Sequence, residues 1–278
     1  MKKYVPGLQL YSVRDELARD FEGTLKRVAE MGYKNVEFAG DYGGLTGKQV
    51  KETLDKYGLI SVSVHQNIEL FLEKGQEAVD FFKTFGVKYV TVPYYQEEHF
   101  QTEEARRETL ENFTKVAKLL AENGITMQYH NHDFEFKRFP DGKTYLDWLY
   151  ENIPAELLKP QLDVCWVKYG GEDPAKYIRK YADRISTIHL KDFTARKLNG
   201  GAVYELIGID SESDEETVED NGFRFRALGR GIMDFDPIFD ALEDTPVEYL
   251  IVEQDRCYDE DPFDCVRQSR EFLLAKGV

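Results

Sequence analysis

Cysteine is scarce in this chain of 278 residues, which contains only Cys165, Cys257 and Cys265. These are too few and too widely spaced for a disulfide framework or a cysteine zinc site, so reduced thiols are expected. Long apolar runs are also missing. The opening Met-Lys-Lys-Tyr-Val-Pro-Gly leads into no extended hydrophobic stretch, which speaks against a signal peptide or membrane span and for a cytoplasmic protein. Positive charge is in deficit, with 36 Lys and Arg against 52 Asp and Glu and a formal net charge of -16. Such a surface repels nucleic-acid phosphates and anionic membranes, leaving small polar molecules as the expected partners. The glycine-rich turn that brings a backbone against a pyrophosphate is absent, because the first apolar run passes into Tyr11-Ser12-Val13-Arg14-Asp15. Gly43-Gly44 and Gly170-Gly171 read as tight loop turns.

With 42% hydrophobic residues, the chain can bury a sizeable core. Apolar or β-branched runs at residues 7–11, 35–38, 60–65, 87–93, 125–130, 158–163, 185–189 and 249–253 predict eight strands. Helical patterns fall between them at 20–31, 46–57, 69–85, 102–123, 143–151, 174–181, 235–242 and 262–274. Asp20 is placed to cap the first of these, Asp173-Pro174 and Asp261-Pro262 have the cap-then-proline form, and Gly124 can end the longest helix. The alternation persists from end to end and predicts a single (β/α)8 TIM-barrel domain over 1–278. It is interrupted by a long acidic insertion at about 194–231, after strand seven. Residues 205–220 hold eight acidic residues and no Lys or Arg. A solvated excursion and a lid over the barrel mouth are both consistent with this composition.

A closed barrel gathers its strand ends on one rim, and four of these end on metal-type side chains. Asp163, His189 and Glu253 close strands six, seven and eight, and His130 closes strand five. His132 points the same way one step further into the loop, where it can meet substrate or orient a ligand. Two neutral imidazoles and two carboxylates would balance one divalent ion; Mn²⁺ is the preferred choice, with Co²⁺, Mg²⁺, Fe²⁺ and Zn²⁺ also compatible. Glu37 and His65 end strands two and three, and Lys191 shares a strand side with His189. Tyr11, Glu135, Trp166 and Arg256 complete the candidate substrate contacts. Tyr129, Phe134, Phe136 and Tyr169 add aromatic surface suited to a sugar or cyclitol ring. Ordinary ion pairs, Lys191 with Asp192 and Glu253 with Arg256, compete with these functional readings.

Several segments together resemble the sugar phosphate isomerase/epimerase branch of the xylose isomerase-like TIM-barrel superfamily. They are Gly7-Leu8-Gln9-Leu10-Tyr11-Ser12-Val13-Arg14-Asp15, Tyr129-His130-Asn131-His132-Asp133-Phe134-Glu135-Phe136, His189-Leu190-Lys191-Asp192 and Leu228-Gly229-Arg230-Gly231-Ile232-Met233-Asp234-Phe235. The resemblance implies a divalent metal bound by Glu, Asp, His and Glu at the ends of strands five to eight. The last three fall on Asp163, His189 and Glu253; the first falls on His130, where glutamate is common. Three residues after Asp163, many ketose epimerases carry a substrate-binding histidine, and this chain carries Trp166. The second departure speaks against simple ketose 3-epimerase activity, and the His-containing form of strand five is more similar to inosose dehydratase-like and keto-sugar lyase or hydratase members, in which α-proton removal precedes β-elimination.

The expected activity is metal-dependent isomerisation or epimerisation by α-proton abstraction, with Glu253 as first base and Lys191, His132 or Glu37 as the complementary acid. Inosose dehydratase or keto-sugar lyase action is the alternative, and a non-catalytic sugar-binding barrel is the reading from another class. With no basic phosphate cradle, the expected substrate is an unphosphorylated keto-sugar or cyclitol ketone. A separate NAD-dependent dehydrogenase that supplies the ketone is implied by resemblance, and homo-oligomerisation stays open.

Overall fold

The structure, a computed structural model, describes residues 3–198 and 222–278, so the acidic run at 205–220 lies outside the described residues. The barrel is built from β1 (Val5–Gln9), β2 (Asn35–Ala39), β3 (Ser63–His65), β4 (Tyr89–Val92), β5 (Thr126–His130), β6 (Leu158–Asp163) and β7 (Thr187–Leu190). Two short strands, β8 (Asp192–Thr194) and β9 (Arg224–Arg226), form an antiparallel pair outside it. Then β10 (Tyr249–Val252) returns between β7 and β1 and closes eight parallel strands into a barrel, as the alternation predicts. Among the described residues, no helix is long and apolar enough to cross a membrane.

Local chemistry accounts for the differences from the expected boundaries. The first strand ends at Gln9 rather than Tyr11, because the Gln9 side chain accepts from the Tyr11 amide and turns Leu10–Val13 into a 3-10 helix. The helix expected at 69–85 is two helices, Ile68–Lys74 and Gln76–Thr84, broken at Gly75, which adopts φ +52°. The strand expected at 60–65 shrinks to β3, because the Asn35 side chain rather than a ladder partner takes the Val62 amide at 2.9 Å. Gly7 makes room for that side chain, since a Cβ there would lie 2.8 Å from Asn35 Nδ2. The caps behave as read: Asp20, Asp173 and Asp261 each accept amides at their helix starts.

Strand register sorts the side chains into two layers. Asp163 pairs with His189, Gln161 with His130 and Thr187, Gln9 with Glu37, and Thr91 with His65 and Gln128. Hydrogen bonds between non-adjacent strands, such as Gln161 to Glu37 at 2.8 Å and Gln128 to Thr187 at 3.1 Å, place this set inside the barrel. The intervening residues, including Leu8, Val36, Met127, Tyr129, Leu162, Ile188 and Leu250, are fully buried beneath the helices. Each large apolar side chain of this outer layer contributes about 1.5–3 kcal/mol through burial.

Candidate active site

Asp163 shows how one residue serves fold and site together. Its Oδ1 caps the helix Val164–Tyr169 by accepting the Cys165 and Trp166 amides at 2.8 and 3.1 Å. Its Oδ2 receives no hydrogen bond and faces Lys191 Nζ at 3.5 Å and His130 Nε2 at 4.0 Å. His189 lies between two carboxylates, with Nε2 2.6 Å from Glu37 and Nδ1 2.9 Å from Glu253 Oε2. Donor atoms of His130, Asp163, His189 and Glu253 all lie within 4.8 Å of one another, and all four residues are buried. Two donors on one ion at 2.0–2.3 Å lie at most about 4.6 Å apart, so this set needs only a small contraction to fit a divalent metal. The bare Asp163 oxygen is the atom such an ion would satisfy.

Glu37 holds His189 from behind. It is fully buried and accepts from Gln9 at 2.9 Å, Gln161 at 2.8 Å, Ser63 and His189, with His65 Nε2 3.1 Å away. Burial by itself would raise its pKa, but the adjacent His65 and His189 outweigh that and hold it well below the usual carboxylate range. Burial likewise disfavours charge on His189, yet Glu37 and Glu253 lift it to about 10. A metal-directed imidazole whose other nitrogen meets a carboxylate is the arrangement that fixes ligand orientation. Glu37 bonds into the barrel interior and does not line the cavity at the strand ends, a placement that suits orientation of His189 better than proton transfer to a substrate.

Lys191 is 1% exposed, with Nζ 2.9 Å from Asp255, 3.0 Å from Glu253 and 3.5 Å from Asp163. Burial opposes its charge, but these carboxylates prevail and keep the ammonium well above its ordinary pKa. Glu253 is held well below its own, since Lys191 and His189 overcome the effect of burial. Lys191 does not pair with Asp192, whose carboxylate accepts the Phe193, Gly229, Gly231 and Met233 amides. A Cβ at Gly231 would lie 2.1 Å from Asp192 Oδ1, which explains the glycine there. His132 is pushed down to about 3, chiefly by burial and then by Lys191, so it stays a neutral imidazole.

A cavity of about 370 Å³ opens at these strand ends, lined by residues that include Tyr11, His65, Asn67, Tyr94, His130, His132, Lys191, Glu253 and Asp255. A larger groove of about 630 Å³ runs along the outer helix Glu103–Glu122 beside Trp148, remote from these side chains. Tyr11, His65 and His132 thus stand where the sequence puts them. Trp166 lies one layer back, fully buried against Phe223, with His132 5.4 Å and Lys191 5.4 Å from its ring. Glu135 is not at the mouth: a 3-10 turn points it behind β5, where Tyr129 Oη and the His132 amide donate to it at 2.7 and 2.8 Å. Burial lifts its pKa to about 8. Arg256 is exposed and does not line the cavity, and Glu253 pairs with His189 and Lys191. The expected ring-facing Tyr129, Phe134 and Tyr169 are core residues. Asp255, which sequence reasoning overlooked, lies two positions beyond Glu253, past the end of β10; that acidic spacing was the available signal.

A family model described as xylose isomerase-like TIM barrel matches residues 25–276. Inosose dehydratase from Clostridium beijerinckii is 24% identical over 282 residues, spanning 92% of this chain and 89% of that protein. A sugar phosphate isomerase/epimerase from Parabacteroides distasonis superposes with a TM-score of 0.77 at 25% identity, covering 99% of this chain and 94% of the other. The IolI protein, solved with a bound zinc atom, shares the fold at a TM-score of 0.69 and 13% identity, covering 99% and 97% of the two chains.

Proposed function

The chain belongs to the xylose isomerase-like TIM barrel family, and on that premise we propose that it is a divalent-metal-dependent carbohydrate enzyme acting by α-proton abstraction. Its substrate in this reading is an unphosphorylated keto-sugar or cyclitol ketone, and its favoured outcome is loss of water. The observation that carries the reading is the convergence of His130, Asp163, His189 and Glu253 beside a cavity that also exposes Lys191. Similarity to inosose dehydratases supports dehydration, and similarity to the Parabacteroides isomerase/epimerase supports reprotonation without elimination as the second outcome. Among the described residues, Lys191 is the sole Lys or Arg lining the cavity, and Asp255 and Glu253 already pair with it. That balance suits a neutral polyol better than a phosphate ester.

His130, Asp163, His189 and Glu253 would hold the ion, with Mn²⁺ the first to load and Co²⁺, Fe²⁺, Zn²⁺ and Mg²⁺ as comparisons. When bound, it would supply the positive centre that acidifies the carbon beside a ketone. Glu253, ionised and at the cavity, takes the α-proton. Lys191 donates a proton to the departing β-oxygen: the C–H electron pair becomes the new C=C bond, the β C–O bond breaks, and water leaves. His132 contributes a neutral hydrogen-bond partner at the same wall, and Tyr11 and Tyr94 border the ring.

The test pairs metal analysis with a panel of inososes and keto-sugars in D₂O. We expect solvent deuterium to enter the α-position, a product lighter by one water, and a loss of about 10²-fold or more in Glu253→Gln. His130→Ala should lower bound metal. Exchange at unchanged mass would point to epimerisation; substrate binding without exchange would favour a sugar-binding barrel, and protein that takes up no metal under replete conditions would refute the mechanism.

A further inference from the structure

Lys191 and Asp255 form a charged pair alongside the four donors, and we propose that Asp255 is a positioning residue that gives the Lys191 ammonium a seat apart from the metal's carboxylates. This rests on the metal-dependent reading above. Of the three carboxylates around Lys191 Nζ, Glu253 and Asp163 belong to the proposed donor set, and Asp255, at 2.9 Å, does not. A buried ammonium requires a partner. A cation that drew Asp163 and Glu253 to itself would strip Lys191 of two partners and leave Asp255 to hold it. The Trp166 and Phe225 rings also stand 5.4 Å from Nζ, within cation–π range, but neither supplies a counter-charge.

The pair therefore decides whether ammonium and metal coexist. With Asp255 present, Lys191 Nζ keeps a carboxylate partner at the cavity wall even where Glu253 and Asp163 would hold the ion. Without it, the carboxylates left to Lys191 among the described residues are those the metal would need, and the lysine becomes an internal competitor. Asp255 then acts on metal binding through Lys191, so its effect should depend on which side chain stands at position 191.

Calorimetric titration with Mn²⁺ tests this on the full chain, stripped of metal, comparing wild type, Asp255→Asn, Asp255→Glu, Lys191→Met and the Asp255→Asn/Lys191→Met double variant, with thermal unfolding of each metal-free protein alongside. Asp255→Asn should bind Mn²⁺ at least tenfold more weakly, yet melt near wild type because Lys191 keeps two partners. Adding Lys191→Met should restore binding to within threefold of Lys191→Met alone, and Asp255→Glu should retain most of the wild-type affinity. Equal losses from Asp255→Asn in both backgrounds would mean that Asp255 acts by its charge alone, and would overturn the proposal. Wild type that binds Mn²⁺ while Asp255→Asn binds it equally well would overturn the proposal but leave the metal reading intact. Wild type that binds no Mn²⁺ would remove both.

Discussion

The inside and the outside of the same barrel wall obey opposite rules. Outward residues such as Met127, Leu162, Ile188 and Leu250 are apolar and hold the helices by burial alone. Inward residues are just as buried, but most are polar: Gln9, Glu37, Ser63, Thr91, Gln128, Gln161 and Thr187 sit at 0% exposure and bond across the barrel. A barrel interior is more often filled with branched apolar side chains. Here it is a hydrogen-bonded column whose upper end is the candidate site, so ligand orientation and interior packing are one structure.

Three substitutions would break or sharpen this contrast. Glu37→Ala should have the largest effect, because it leaves His189, His65, Gln9 and Gln161 facing a missing acceptor. A loss of about 3–5 kcal/mol in urea unfolding is expected, together with weaker metal binding. Leu250→Ala, on the outer layer, should cost about 2–4 kcal/mol through its cavity and leave Mn²⁺ affinity within twofold. If it weakened metal binding as strongly as Glu37→Ala, the two layers would not be separable. Glu135→Gln should have the smallest effect and a distinctive pH signature. Burial raises Glu135 from 4.5 to about 8, so the folded chain retains a proton that the unfolded chain releases. Stability from this group is therefore fully present below pH 4.5 and declines as pH rises toward about 8. The amide can still accept from the His132 N–H and donate to Tyr129 Oη. Its melting temperature should fall less than wild type's between pH 5 and pH 8, by a few degrees at most, as scanning calorimetry at a series of pH values would show.

The sequence makes the strand ends legible because alternation places Asp163, His189 and Glu253 on the inner face whatever the loops do. His130 and His132 follow from the same rule. The barrel itself is legible because eight apolar runs separated by helical patterns have few other closed arrangements. What alternation cannot reach is the path of a loop. Glu135 follows His132 by three residues, as a substrate contact would, but the turn at Phe134–Phe136 sends it behind the wall to Tyr129. Lys191 and Asp192 are neighbours in sequence and part in space, one toward the site and the other into the Gly229–Met233 amides. Asp255 is missed for a related reason: it lies beyond the end of β10, in a bend that apolar alternation does not describe, yet its carboxylate reaches Lys191.

The ladder of β8 with β9 sets Thr194 opposite Arg224, so the chain leaves this pair and returns to it at one place. Whatever length lies between is closed by that ladder rather than by the barrel, and doubling it would add only about 0.6 kcal/mol of closure entropy. Evolution or a protein engineer can therefore lengthen or shorten the segment between these strands while the polar column inside the barrel stays in register.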